Sequence, residues 1–118
     1  MSLLHILVVD DAPDILEILD IVLSGDGWLV STADSVAAAD LRLSQGHFDL
    51  ILVDYQLPDG DGVSAAHRWK ETAALASLPI VLYSGAQHHG DMGVLADVIV
   101  KSIDPFALSQ RLRRLIQR

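Results

Sequence analysis

A chain of 118 residues, 51% of them hydrophobic, has the length and apolar content for one packed domain. Apolar runs no longer than a strand exclude the ~20-residue span of a membrane helix, no signal-peptide pattern opens the chain, and the lack of cysteine excludes disulfide and thiolate chemistry, so a cytoplasmic domain without membrane contact is expected. A net charge of −8 argues against direct nucleic-acid binding, which needs Lys and Arg to neutralise phosphates.

The first apolar run, "LLHILVV" (3–9), reads as a strand and ends in Asp10 and Asp11. Pro13 then suits a first helical turn, with Ile15, Ile18, Leu19 and Val22 at helical spacing. "GWLVSTA" (27–33) is the second strand; Ser35 is placed to cap a helix carrying Val36, Ala39 and Leu43, closed by Gly46. "FDLILV" (48–53) is the third strand and ends at Asp54, and helix character resumes from about Ser64 to Ala74 with weak apolar periodicity. "LPIVLY" (78–83) and "DVIV" (97–100) are the fourth and fifth strands, followed by Ser84 and Lys101. Asp104 and Pro105 then open a last helix with Leu108, Leu112, Leu115 and Ile116 as its buried stripe.

Five alternations of strand and helix with short connections predict one α/β domain over residues 1–118, a doubly wound parallel sheet with helices on both faces. Continuous rather than alternating apolar runs suit strands covered on both faces. Active groups in such sheets gather outside the carboxyl ends of the strands, where Asp10, Asp11, Asp54, Ser84 and Lys101 all stand. Each has a plainer role singly: Asp11 as a helix cap, Ser84 as a turn residue before Gly85, Lys101 as a surface cation. Together they form three acids, a hydroxyl and an ammonium on one edge. Clustered carboxylates repel unless a cation joins them, and Mg²⁺ favours carboxylate, water and phosphate oxygens. Lys101 and Ser84 add donors suited to a phosphoryl group. The inventory fits phosphoryl transfer to a carboxylate.

"ILVVDD", "LILVDYQLPDGDG", "LPIVLYSG" and "VIVKSIDP", in that order, resemble the receiver domain of two-component response regulators over essentially the whole chain. The resemblance implies a flavodoxin-like sheet order of 2-1-3-4-5 and a signalling domain rather than a turnover enzyme. It implies Asp54 as phospho-acceptor, taking its phosphoryl group from a histidine kinase or a histidine phosphotransfer protein. Asp11, Asp54 and the backbone carbonyl of Gln56 would hold Mg²⁺ (or Mn²⁺), with Asp10 helping through water. Ser84 and Lys101 would bind the phosphoryl group, and Gln56 and Ala86 occupy positions that tune dephosphorylation. Output would pass to a downstream protein or to other domains of a longer chain. Asp59 and Asp61, beside Pro58, Gly60 and Gly62, read as turn residues.

The sequence departs from that family in three places. Ser102 stands where a proline usually follows the lysine, so a trans Lys101–Ser102 bond is expected, or a strained cis one if the lysine must stay in place. Val98 replaces the aromatic residue that rotates with the switch. The segment from Gly85 to Val100 is short and holds Gly90 and Gly93, so the fourth helix should be short or disordered. These departures keep a second reading open, a receiver-like interaction module that no longer signals through phosphate. A Mg²⁺-dependent hydrolase with an aspartyl nucleophile fits less well, because Gln56 stands where a second acid is wanted. His88 and His89 lack a partner at helical spacing and read as exposed rather than metal-binding. Trp28 and Trp69 read as core or half-buried residues. Arg111, Arg113, Arg114 and Arg118 read either as a solvated helix face suited to its dipole or as a docking patch for an acidic partner.

Overall fold

Five runs of aliphatic and β-branched residues pair as the parallel strands β1 (His5–Val9), β2 (Leu29–Ala33), β3 (Leu50–Asp54), β6 (Ile80–Ser84) and β7 (Asp97–Val100). The labels β4 (Gln56–Leu57) and β5 (Gly60–Asp61) belong to a small antiparallel hairpin after β3. The computed structural model describes residues 3–85 and 93–116. The sheet runs β2-β1-β3-β6-β7, which with the hairpin set aside is the expected 2-1-3-4-5. The apolar runs overshoot the strands at their starts: Trp28, for instance, precedes β2 and is buried with its Nε1 donating to Ser109.

Helices α1 (Pro13–Gly25), α2 (Val36–Gln45), α3 (Gly62–Glu71) and α4 (Pro105–Ile116) cover the two faces. Strand alternation divides the core. Leu7, Val9, Ile51, Val53, Ile80 and Leu82 pack with Ala39, Ala65, Ala66 and Trp69 of α2 and α3. Ile6, Val8, Leu50, Leu52, Val81, Tyr83 and Ile99 pack with Leu19, Leu23, Leu108 and Leu112 of α1 and α4. The expected fourth helix falls mostly on residues 86–92, outside the described residues, as do Ala86, His88, His89 and Gly90; residues 93–96 lead into β7 without a helical turn.

The helix ends sharpen the sequence reading. Ser35 caps α2 by accepting from the Ala38 N–H, and Asp104 accepts from the Phe106 and Ala107 N–H groups with Pro105 at the first helical position. Gly46 closes α2 in extended backbone, not in the left-handed conformation that favours glycine at helix ends. Asp11 is not a cap: α1 starts after Ala12, whose N–H donates to the carboxylate of Asp10. Asp59 and Asp61 do more than shape a turn. Asp61 caps α3 through the N–H and hydroxyl of Ser64, and Asp59 accepts from the Val36 and Ala37 N–H groups of α2, across the molecule. α3 begins at Gly62, two residues earlier than expected, and buries Gly62, Ala65, Ala66 and Trp69 at helical spacing. Small residues made that stripe faint in the sequence.

Candidate functional site

β1 and β3 are neighbours in the sheet, so the residues at their carboxyl ends meet. Asp10 follows β1, 1% exposed, and continues the ladder by donating its N–H to Ala33. Asp54 is the last residue of β3, and Asp11 lies exposed at the start of the turn into α1. One carboxylate oxygen from each of Asp10, Asp11 and Asp54 lies within 4.8 Å of the other two. The oxygens are hard donors, and the exposed Asp11 leaves one side open to water, as a divalent cation such as Mg²⁺ requires. The donor set fits that ion.

Lys101, one residue beyond β7, reaches back over this group. Its ammonium lies 2.9 Å from Asp10 Oδ2 and 3.2 Å from Asp54 Oδ2. The Lys101 N–H donates to the Ser84 carbonyl at 2.7 Å, which fixes the root of the side chain at the edge of the sheet. The Lys101–Ser102 bond is trans. One ammonium among three carboxylates leaves the site short of positive charge. Burial, and after it the Asp10 charge, push the Asp54 carboxyl above the usual carboxylate range, while Lys101 pulls the other way. Burial works against the charge of Lys101, but its hydrogen bonds and charge pairing with Asp10 and Asp54 outweigh it and hold the ammonium above the ordinary lysine range.

The other residues expected here divide. Ser84 ends β6 and is buried, in register with Val100. Gln56 is exposed in the hairpin, two residues past Asp54. Ala86 lies outside the described residues. Val98 packs half-buried against the α2–α3 side of the core, on the face of the sheet away from Tyr83. The carboxylates and Lys101 form one constellation; Asp59 and Asp61 stand apart from it as helix caps.

Tyr83 belongs to the neighbourhood and carries no signal in the sequence beyond its place before Ser84. It pairs in register with Asp54, and the Lys101 ammonium lies 5.6 Å from its ring centroid. Strand parity combined with the β3–β6 register would have found it.

A parallel sheet of this order with acids, a buried serine and a lysine at its carboxyl edge defines a two-component signalling module. The sequence matches the response regulator receiver domain family over residues 6–113, and the chain belongs to that family. It is 35% identical over 81 residues to the gliding motility regulatory protein of Myxococcus xanthus, covering 69% of this chain and 10% of that one. It is 29% identical to the transcriptional regulatory protein PmrA of Pectobacterium parmentieri, covering 98% of this chain and 53% of that protein. The chain therefore spans about half of the one relative's length and a tenth of the other's. Among solved structures, the response regulator TrrA of Thermotoga maritima, determined in complex with Mg²⁺-BeF, superposes with a TM-score of 0.86 at 27% identity, over 95% of this chain and 98% of that one. No helix among the described residues is long and apolar enough to cross a membrane.

Proposed function

We propose that residues 1–118 act as one phospho-acceptor unit, in which Asp54 takes a phosphoryl group from a phosphohistidine of a histidine kinase or histidine phosphotransfer protein. The observation that carries this reading is the Asp54 carboxylate, 3.2 Å from the Lys101 ammonium and within 4.8 Å of oxygens from both Asp10 and Asp11. An O–P bond forms at an Asp54 oxygen as the P–N bond to the donor's imidazole breaks, and the bonding pair stays on nitrogen. The charge on the moving phosphoryl oxygens is stabilised by positioned cations and donors rather than by acid–base chemistry.

Placement supports one role for each residue of the proposal. Asp54 is the nucleophile, presented by a strand that is otherwise fully buried. Asp10, Asp11, Asp54 and the Gln56 carbonyl are assigned to Mg²⁺, with Asp10 acting through water because its carboxylate is already engaged by Lys101 and the Ala12 N–H. When bound, Mg²⁺ supplies the positive charge that neutralises the acids and the phosphoryl oxygens. Lys101 follows the new negative charge, and Ser84 donates its hydroxyl to a phosphoryl oxygen. Gln56 and Ala86 are assigned the tuning of dephosphorylation, the role their positions carry in the family. Output goes to a downstream protein or to further domains of a longer chain.

Incubation with Mg²⁺ and acetyl phosphate tests the reading. The intact mass of the wild type rises by one phosphoryl group, and that of Asp54→Ala does not. A second reading, an interaction module that no longer uses phosphate, is favoured by Val98, whose small side chain lacks the ring that reports the switch in relatives. Mg²⁺ binding without any phosphorylation would establish that second reading instead.

A further inference from the structure

We infer that Tyr83 is a positioning residue of this site, its ring holding the Lys101 ammonium over the gap between Asp10 and Asp54. The side chains of register partners on adjacent strands emerge on the same face of a sheet, so the Tyr83 ring stands beside the Asp54 carboxylate. Lys101 is thus bounded on three sides: Asp10 at 2.9 Å, Asp54 at 3.2 Å and the aromatic ring at 5.6 Å. The face of a ring carries the negative part of its quadrupole, so it attracts an ammonium without adding a fourth anion to an acidic site. A carboxylate there would compete with Asp54 for the same cation. An aliphatic residue would fill the space and leave that side of Lys101 without a partner.

The same ring reaches into the core. Tyr83 is 5% exposed and packs in the cluster formed by Ile99 of β7 and Leu108 and Leu112 of α4. Any displacement of Lys101 toward new negative charge on Asp54 changes what the ring faces, and the ring shares its core cluster with Leu108 and Leu112 of α4. The Val98 side chain packs on the opposite face of the sheet. Tyr83 therefore links the state of the acidic gap to the α4 side of the domain.

A core tyrosine with no positioning role would be replaced by any residue of similar bulk, and the test turns on that difference. In the metal-free, unphosphorylated protein, the ε-CH₂ protons of Lys101 should resonate upfield of those of Lys70, the chain's only other lysine, because they lie over a ring. Tyr83→Phe keeps this shift and Tyr83→Leu abolishes it. Phosphorylation by acetyl phosphate at saturating Mg²⁺ rests on the proposed function as well: Tyr83→Phe should stay near the wild-type rate and Tyr83→Leu should fall about 2- to 30-fold, the factor a cation–π contact carries. A wild-type Lys101 resonance level with Lys70 overturns the inference without any variant. So does a Tyr83→Phe protein that loses as much rate as Tyr83→Leu. If the wild type takes no phosphoryl group, the acceptor reading fails while the chemical shift still decides the role of Tyr83.

Discussion

A Cβ placed on Gly62 would lie 2.2 Å from the backbone carbonyl oxygen of Asp54. The first residue of α3 and the last of β3 are in backbone contact, and the Gly62 N–H donates to the Tyr55 carbonyl at 2.7 Å between them. The hairpin turns back sharply enough to bring α3 onto Asp54, and only a residue without a side chain fits there. Gly62→Ala must push the two apart. It should cost about 3 kcal/mol in urea unfolding, the scale of overpacking in a close-packed core. In the folded fraction, acetyl phosphate labelling of Asp54 should slow by up to about 100-fold, because a displacement near 1 Å has that effect on a positioned reaction.

Removing the Asp54 charge should stabilise the resting protein. Burial and Asp10 raise its native carboxyl pKa, so the native state binds this proton more tightly than the unfolded chain does. Ionisation therefore costs stability, and the cost appears as pH rises from the unfolded value of about 3.9 through the raised native one. Asp54→Asn should melt above the wild type at pH 7, with the gap closing toward pH 4. Mg²⁺ should reverse the order, since at about 100 times its dissociation constant a bound ion adds about 2.7 kcal/mol to the form that holds it. Thermal melts across pH, with and without Mg²⁺, check both arms; a pH-independent gap contradicts the first.

Asp59 acts at a distance from its own loop. Hydrogen bonds from the Ala37 N–H and then the Val36 N–H hold its carboxyl below the usual range. A lowered native pKa contributes stability that is present above the unfolded value and is lost as pH falls through the native one. Asp59→Ala should lower the melting temperature at pH 7, and the difference should shrink to nothing in strong acid. Ser35→Ala, which removes the local cap of the same helix, should cost about 1 kcal/mol.

The α1–α4 contact is held by a polar relay. Trp28 Nε1 donates to Ser109 at 3.1 Å, Ser109 donates to Asp26, and Arg113 pairs with Asp26 at 3.1 Å while lying 5.1 Å from the Trp28 ring. Ser109→Ala leaves the indole N–H buried without its acceptor, a loss of about 1–3 kcal/mol. Trp28 emission should shift in the folded variant, whereas Trp69, bonded to Asp40 at 2.8 Å on the other face of the sheet, should not respond. Single-tryptophan versions of the protein separate the two signals.

The strands, their parallel arrangement and the gathering of acids and Lys101 were legible in local pattern, as apolar runs followed by polar groups, whereas the sheet order came with the family resemblance. What escaped depends on where distant segments touch. Asp59 looked like a turn residue because its partners Val36 and Ala37 lie 22 or more positions away. Tyr83 only closes the apolar run 78–83 in the sequence, and its register with Asp54 is what brings it to the site. The α3 stripe was faint because glycine and alanine bury little area, and Asp61, which caps that helix, read as a turn residue. The basic tail was ambiguous for a similar reason. Arg111 is taken by Asp97 through contacts of 2.7 and 2.8 Å, and Arg113 by Asp26, so these two arginines are spent inside the molecule.

That internal use of cations reaches beyond the helix end. Arg42 donates to the Thr32 carbonyl, Arg68 pairs with Asp40, Lys70 donates to the Ala76 and Leu78 carbonyls, and Lys101 is held at the site. With these six cations turned to intramolecular partners and a net charge of −8, an approaching molecule meets a predominantly negative field. Encounter with a positively charged surface is then accelerated by long-range steering, and the acceleration fades as added salt shortens the Debye length to about 10 Å at 0.1 M. A charged surface is thus sorted before contact, as a difference in association rate that ionic strength can tune.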